Sequence, residues 1–261
     1  MFQICTIAND LSQYQSMKAS FLSTGFSEDI CDYKLLDNST SNTHDPYLTI
    51  NQALTEAKQQ YIIFCHQDIL LNKTHGYDQL IDQLEKLNAM DPNWAIAGNA
   101  GYKENLSPVV KVDDPHSFQH YQELPERVYS LDENFFVIKT SSDLRCSENL
   151  SGFHLYATDL CLQATKRNLS CYVIDFYMTH LSGGDTSSSG FQGSLVRFNQ
   201  NWNQAFLFCF IRTPCTFLSL SRSSFIRWLF KEDKFVGFFI HHMGIYTRFT
   251  QVKRWLLQQR S

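Results

Sequence analysis

The segment Tyr61 to Cys65, YIIFC, is an unbroken apolar run that stops abruptly at His66-Gln67-Asp68. Successive side chains of a strand point to opposite faces, so a strand with no polar alternation must be covered on both sides. Five residues are too few for a buried helix, so the run reads as a central strand with a layer above it and another below. The same pattern recurs. Phe2 to Ala8, Tyr33 to Leu36, Trp94 to Ala97, Phe135 to Ile138 and Cys171 to Phe176 read as strands. Helical spacing is expected over Gln13 to Leu22, Tyr47 to Lys58, Gly76 to Leu87 and His154 to Asn168. Strands alternating with helices predict an α/β layer fold. Hydrophobic residues make up 43% of the 261 and charged residues 18%, enough to bury a core of that kind.

Polar residues gather directly behind these strands. Asp37-Asn38-Ser39 follows YKLL, Asp68 follows YIIFC, and His180-Leu181-Ser182-Gly183-Gly184 follows the Cys171 to Phe176 region. Open α/β sheets bind ligands at the carboxyl ends of their strands. A carboxylate there with a neighbouring imidazole suits a divalent cation that also holds a phosphate. Glycines after His180 would let a phosphate or sugar approach the backbone. Each signal also has a plain structural reading: a loop aspartate that caps the next element, or a Gly-Gly turn.

Charge is unevenly distributed. Residues 205–261 carry nine Lys and Arg against Glu232 and Asp233, a net +7 within a total of −4, which leaves −11 on residues 1–204. Arg227, Lys231, Lys234, Arg248, Lys253 and Arg254 interleave there with Phe225, Trp228, Phe230, Phe235 and Phe239. The expectation is an acidic body over 1–204 and a basic, aromatic, helical extension over 205–261. That extension fits an interfacial contact with an anionic membrane, or else a solvated face whose aromatics pack on the body. The acidic body argues against nucleic acid as a partner. Eight scattered cysteines without metal-ligand spacing read as buried free thiols in a reducing compartment. No apolar run reaches the roughly 18 residues of a membrane span, and no basic segment precedes an N-terminal apolar core, so a cytoplasmic protein is expected.

The ordered motifs TIAND, LLDNS, YIIFCHQDILL, SLDENFFVI, GFHLYATDLCLQATKRNLSCYVID and HLSGG resemble the family 2-like GT-A glycosyltransferases. They are most similar to the StrF-domain-related subgroup, which carries HQD in place of DxD. The resemblance spans about residues 2–204. It implies a GT-A α/β/α sandwich with a mixed central sheet. It also implies transfer of a sugar from a nucleotide-diphosphate donor to a glycan or lipid-linked acceptor, with Mn²⁺ or Mg²⁺ and with inversion, in surface polysaccharide or lipopolysaccharide assembly. By the same resemblance, Asp68 and His180 hold the metal, and Asp37 contacts the nucleotide base. Thr6 and Asn9 pack against the nucleotide, and Asp132 lines the donor-sugar pocket. The family's general base is an acid two residues before Asp159, where this chain has Ala157. Asp159 or His154 then remains as the base. The same departure raises a second reading, a catalytically degenerate nucleotide-sugar-binding scaffold at the membrane.

Overall fold

A computed structural model describes residues 1–113, 123–182 and 189–231. In chain order, β1 (Phe2–Ala8), α1 (Leu11–Ser23), β2 (Cys31–Asp37), α2 (Pro46–Glu56), β3 (Tyr61–Cys65), β4 (Ile69–Leu71) and α3 (Tyr77–Met90) form the first half. Then come β5 (Trp94–Gly98), β6 (Ala100–Tyr102), β7 (Pro108–Val110), β8 (Val112–Asp113), β9 (Glu126–Val128), β10 (Ser130–Leu131) and β11 (Phe135–Lys139). The last part holds α4 (Tyr156–Lys166), β12 (Ser170–Val173), β13 (Met178–His180), α5 (Ser189–Asn203), β14 (Cys209–Arg212), β15 (Phe217–Leu220) and α6 (Ser224–Leu229).

Seven strands build the central sheet in the order β2-β1-β3-β11-β5-β12-β9. The first three are mutually parallel, β11 runs antiparallel to both β3 and β5, and β12 is parallel to β5. The sheet is therefore mixed. Its residues divide by parity, as a two-sided strand requires. Ile62, Phe64, Phe136 and Ile138 face a core shared with α2, α4 and α5, whereas Tyr61, Ile63, Phe135 and Val137 face α1 and α3. These two cores are the outer halves of an α/β/α sandwich, and every residue of β3 is buried, as its composition requires.

Local chemistry fixes the helix starts that border the strand ends. Asp10 caps α1 by accepting from the Ser12 and Gln13 N–H groups, and Asp45 caps α2 by accepting from Tyr47 and Leu48. Asp45 also accepts from Gly152 N–H at 2.6 Å, which ties α2 to the loop before α4. Gly152 has φ +110°, and a Cβ there would stand 2.8 Å from Ser194 Oγ.

Three expectations need correction. His154 lies outside α4, which begins at Tyr156 after Leu155 turns into the left-handed region at φ 68°. His180 does not simply trail the strand Ser170–Val173. It is the last residue of its own strand β13, within a three-stranded sheet of order β4-β13-β8. Residues 209–220 are an antiparallel hairpin rather than helix. Phe210 and Leu218 are buried, and Phe206, Ile211, Leu218 and Leu220 join the core around Trp202, because these short aromatic and β-branched runs suit a half-buried sheet. Of the expected extension, only α6 is helical among the described residues. Lys234, Phe235, Phe239, Arg248, Lys253 and Arg254 lie outside them, as do Gly183 and Gly184. The eight cysteines are free thiols and six of them are buried. No helix among the described residues is long and apolar enough to cross a membrane.

Phe136 joins the layers: fully buried, it stacks on Phe64 with centroids 5.7 Å apart and meets Tyr156 of α4 at 6.1 Å. Phe136→Ala is expected to cost about 3–5 kcal/mol, read as a lowered urea midpoint with unchanged slope. A loss below about 1 kcal/mol would mean that α4 does not depend on this contact.

Candidate active site

Because β1, β2 and β3 are parallel, their carboxyl ends open on one edge of the sheet. A cleft of about 370 Å³ lies there, lined by Asn9, Asn38, His66, Asp68, Glu133 and Tyr156 among others. Gln67 ties the end of β3 to the end of β1. Its Oε1 accepts from the N–H groups of Asn9 and Asp10, both at 2.9 Å, and its Nε2 donates to Asn9 Oδ1 at 2.6 Å. Asn38 does the same for the loop after β2, accepting from Thr43 and His44 N–H and donating to His44 O.

The short sheet completes the centre. β13 pairs antiparallel with β4, with His180 opposite Ile69, and Leu181 N–H donates to Asp68 O at 3.0 Å. His180 therefore comes beside Asp68 although 112 positions separate them in the chain. Asp68 Oδ1 lies 3.5 Å from His180 Nε2 and 4.0 Å from His66 Nδ1, while its Oδ2 accepts from the Ser182 hydroxyl. His66 Nε2 meets the Tyr156 hydroxyl at 3.1 Å, which leaves Nδ1 toward Asp68. His66, Asp68 and His180 each offer a ligand atom within 4.8 Å of the others, the only such group among the described residues.

The electrostatics are consistent with a cation site. Burial raises the Asp68 pKa, but hydrogen bonds from His180 and Ser182 and the nearby imidazoles outweigh it, bringing the carboxyl down to about 2. Burial, reinforced by His180, lowers His66, which keeps its imidazole neutral and able to ligate. Ligands about 2.1 Å from one ion stand roughly 3 Å apart, so an ion would draw these three groups, now within 4.8 Å of one another, closer together. Two imidazoles and one carboxylate fit a divalent transition ion such as Mn²⁺ better than Mg²⁺, which prefers oxygen alone.

The other expected residues separate. Asn9 lines the cleft. Thr6 is buried, with its hydroxyl 3.3 Å from Cys65 Sγ, so it packs β1 against β3. Asp37 ends β2, exposed, and accepts from Ser39 N–H at 2.8 Å; that bonding holds its pKa below the usual carboxylate value. Asp132 folds back on its own chain, accepting from Glu133 and Asn134 N–H. His154 is half-buried, with its ring edge-on to Phe191 at 5.2 Å. Asp159 is fully buried. Ser147 N–H donates to its Oδ2 at 2.7 Å, and the Ser147 hydroxyl and Trp202 Nε1–H donate to its Oδ1 at 2.7 and 2.8 Å. Those three bonds fix the loop before α4 to α5 and leave Asp159 turned to structure rather than to the cleft. Glu133 went unrecognised in the sequence, where only its place beside Asp132 in SLDEN offered a signal.

No family model matches the chain. Its fold is similar to that of TarS residues 1–349 from S. aureus, in complex with UDP-GlcNAc. The TM-score is 0.52 at 12% identity, covering 78% of this chain and 64% of that one. It is likewise similar to GalNAc-T7 with UDP, GalNAc and Mn²⁺, with a TM-score of 0.53 at 8% identity, covering 78% of this chain and 49% of that one. This chain thus spans less than two thirds of either, and the architecture is the GT-A fold. The "ATP synthase subunits region ORF 6" protein of Fuscovulum blasticum is 34% identical over 187 residues, 69% of this chain and 75% of that protein; the chain belongs to its family.

Asp159→Asn sets an amide NH₂ against the donors of Ser147 and Trp202. The expected cost is about 1–3 kcal/mol of stability, with Mn²⁺ affinity unchanged by calorimetry. A stable variant that lost metal binding would return Asp159 to the site.

Proposed function

We propose that this protein is a metal-dependent, inverting glycosyltransferase that takes its sugar from a nucleotide-diphosphate donor. The observation that carries the reading is the convergence of His66, Asp68 and His180 beside the cleft at the carboxyl edge of a GT-A sheet. The fold alone would not identify a reaction, since function resides in the site. In support, TarS is described with UDP-GlcNAc, and GalNAc-T7 with UDP, GalNAc and Mn²⁺.

In this reading His66, Asp68 and His180 hold Mn²⁺ or Mg²⁺, with Mn²⁺ preferred. The ion would act as a Lewis acid that neutralises charge on the departing diphosphate. Asn9 and Asn38 offer amide groups to the nucleotide, Asp37 at the rim accepts from ribose or base, and Asp132 orders the turn bearing the donor-sugar pocket. The acceptor is a glycan or lipid-linked glycan, as in surface polysaccharide or lipopolysaccharide assembly. Contact with an anionic membrane through residues beyond 205 is supported by the exposed Leu207, Phe225 and Trp228, with Arg222, Arg227 and Lys231 in the same segment.

Thermal unfolding with UDP, GDP or dTDP, each with and without Mn²⁺, tests the reading. One nucleoside diphosphate at a hundred times its Kd should stabilise the protein by about 2.7 kcal/mol, in the presence of Mn²⁺ only. Asp68→Ala and His180→Ala should each abolish that shift, and Asp37→Ala should weaken binding of the free nucleoside diphosphate. The absence of a metal-dependent shift with any of the three would refute the reading. Donor binding without any turnover would favour the scaffold instead.

A further inference from the structure

Helix α4 opens without a side-chain cap of its own. Its N-cap is Leu155, buried and held at φ 68°, a left-handed conformation that leucine rarely adopts. Ala157, where the resembled family has its acid, is fully buried and has no polar group. Asp159 is occupied by Ser147 and Trp202. Yet the first turn does face a carboxylate, and that carboxylate comes from another element. The backbone N–H groups of Tyr156, Ala157 and Leu155 lie on the side of the Glu133 carboxyl and favour its charged form.

Register explains why Glu133 arrives there. β11 runs antiparallel to β3 with Phe135 opposite Cys65, and His66 N–H donates to Asn134 O at 2.9 Å. The residue before Asn134 therefore stands across from Gln67, at the carboxyl edge of β3, and it lines the cleft with His66 and Asp68. Its Oε1 is shielded from solvent and has no hydrogen-bond partner. A buried carboxyl oxygen without a partner is costly unless a ligand supplies one.

We propose that Glu133 is the general base of the transfer, supplying from the turn before β11 the carboxylate that the chain lacks at Ala157. The inference rests on the glycosyltransferase reading. The acceptor oxygen forms its bond to the anomeric carbon as the bond from that carbon to the diphosphate breaks. The diphosphate leaves with the electron pair, and the acceptor proton passes to Glu133 Oε1. Burial, then the adjacent Asp132, push Glu133 up to about 8, and the three N–H groups restrain the rise. A base of that strength accepts a proton efficiently near neutral pH.

The test measures release of nucleoside diphosphate from UDP-, GDP- and dTDP-sugars with Mn²⁺ and water as acceptor, alongside UDP affinity by calorimetry. Glu133→Gln should lower kcat roughly 10²–10⁴-fold while leaving UDP affinity within twofold. Wild-type rate should rise with pH through an apparent pKa near 8, a rise missing in Glu133→Gln. Glu133→Asp, which keeps the charge, should restore part of the rate together with its pH dependence, and Asp159→Asn should keep kcat despite a lower Tm. A Glu133→Gln rate within threefold of wild type would overturn the assignment alone. So would a collapse in His154→Ala or Asp159→Asn with UDP affinity intact. No turnover in wild type would remove the transferase reading and the role of Glu133 together.

Discussion

The antiparallel pairing of β13 with β4 is the contact on which the site depends. It seats His180 against Asp68, the residue that follows β3 by three positions, and Leu181 N–H fixes the register by bonding Asp68 O. Without that pairing Asp68 would be a loop aspartate near His66, with one imidazole and no enclosure. With it, the Asp68 carboxylate sits buried between two histidines and the Ser182 hydroxyl, ionised down to about pH 2. Burial alone would have raised its pKa; the polar partners reverse the sign.

The rest of the edge is organised to keep that centre in place. Gln67 ties the end of β1 to the end of β3 through three hydrogen bonds. Tyr156 reaches from α4 to the outer nitrogen of His66 and stacks edge-on against Tyr47 of α2. Asp159 anchors the same helix from behind through Ser147 and Trp202. Two carboxylates thus flank one helix start with different tasks. Asp159 is saturated with donors, whereas Glu133 keeps an oxygen without a partner.

Much of this is legible in the sequence. The unbroken YIIFC run required a strand covered on both faces, and the alternation of strands and helices required layers. The helical spacing of Leu80, Leu84 and Leu87 matches the buried face of α3. Asp68 and His180 could be picked out because both follow apolar runs. What stayed hidden depends on long-range register. Glu133 reaches the cleft only because β11 pairs antiparallel with β3, and a two-residue strand end gives no periodic signal of that. Asp159 reads from the sequence as a general base because its partners, Ser147 and Trp202, lie 12 and 43 positions away. The hairpin of β14 and β15 escapes the sequence because residues 209–220 show no clean period of either kind.

The proposed metal centre has His66, Asp68 and His180 holding one divalent ion at the diphosphate position. Pulsed electron paramagnetic resonance on Mn²⁺-loaded protein with UDP reads those ligands. Hyperfine coupling from two imidazole nitrogens and from phosphorus is expected, with one nitrogen coupling lost in His66→Ala and the other in His180→Ala. A spectrum of Mn²⁺ surrounded by water and carboxylate oxygen alone, unchanged in both variants, would contradict it.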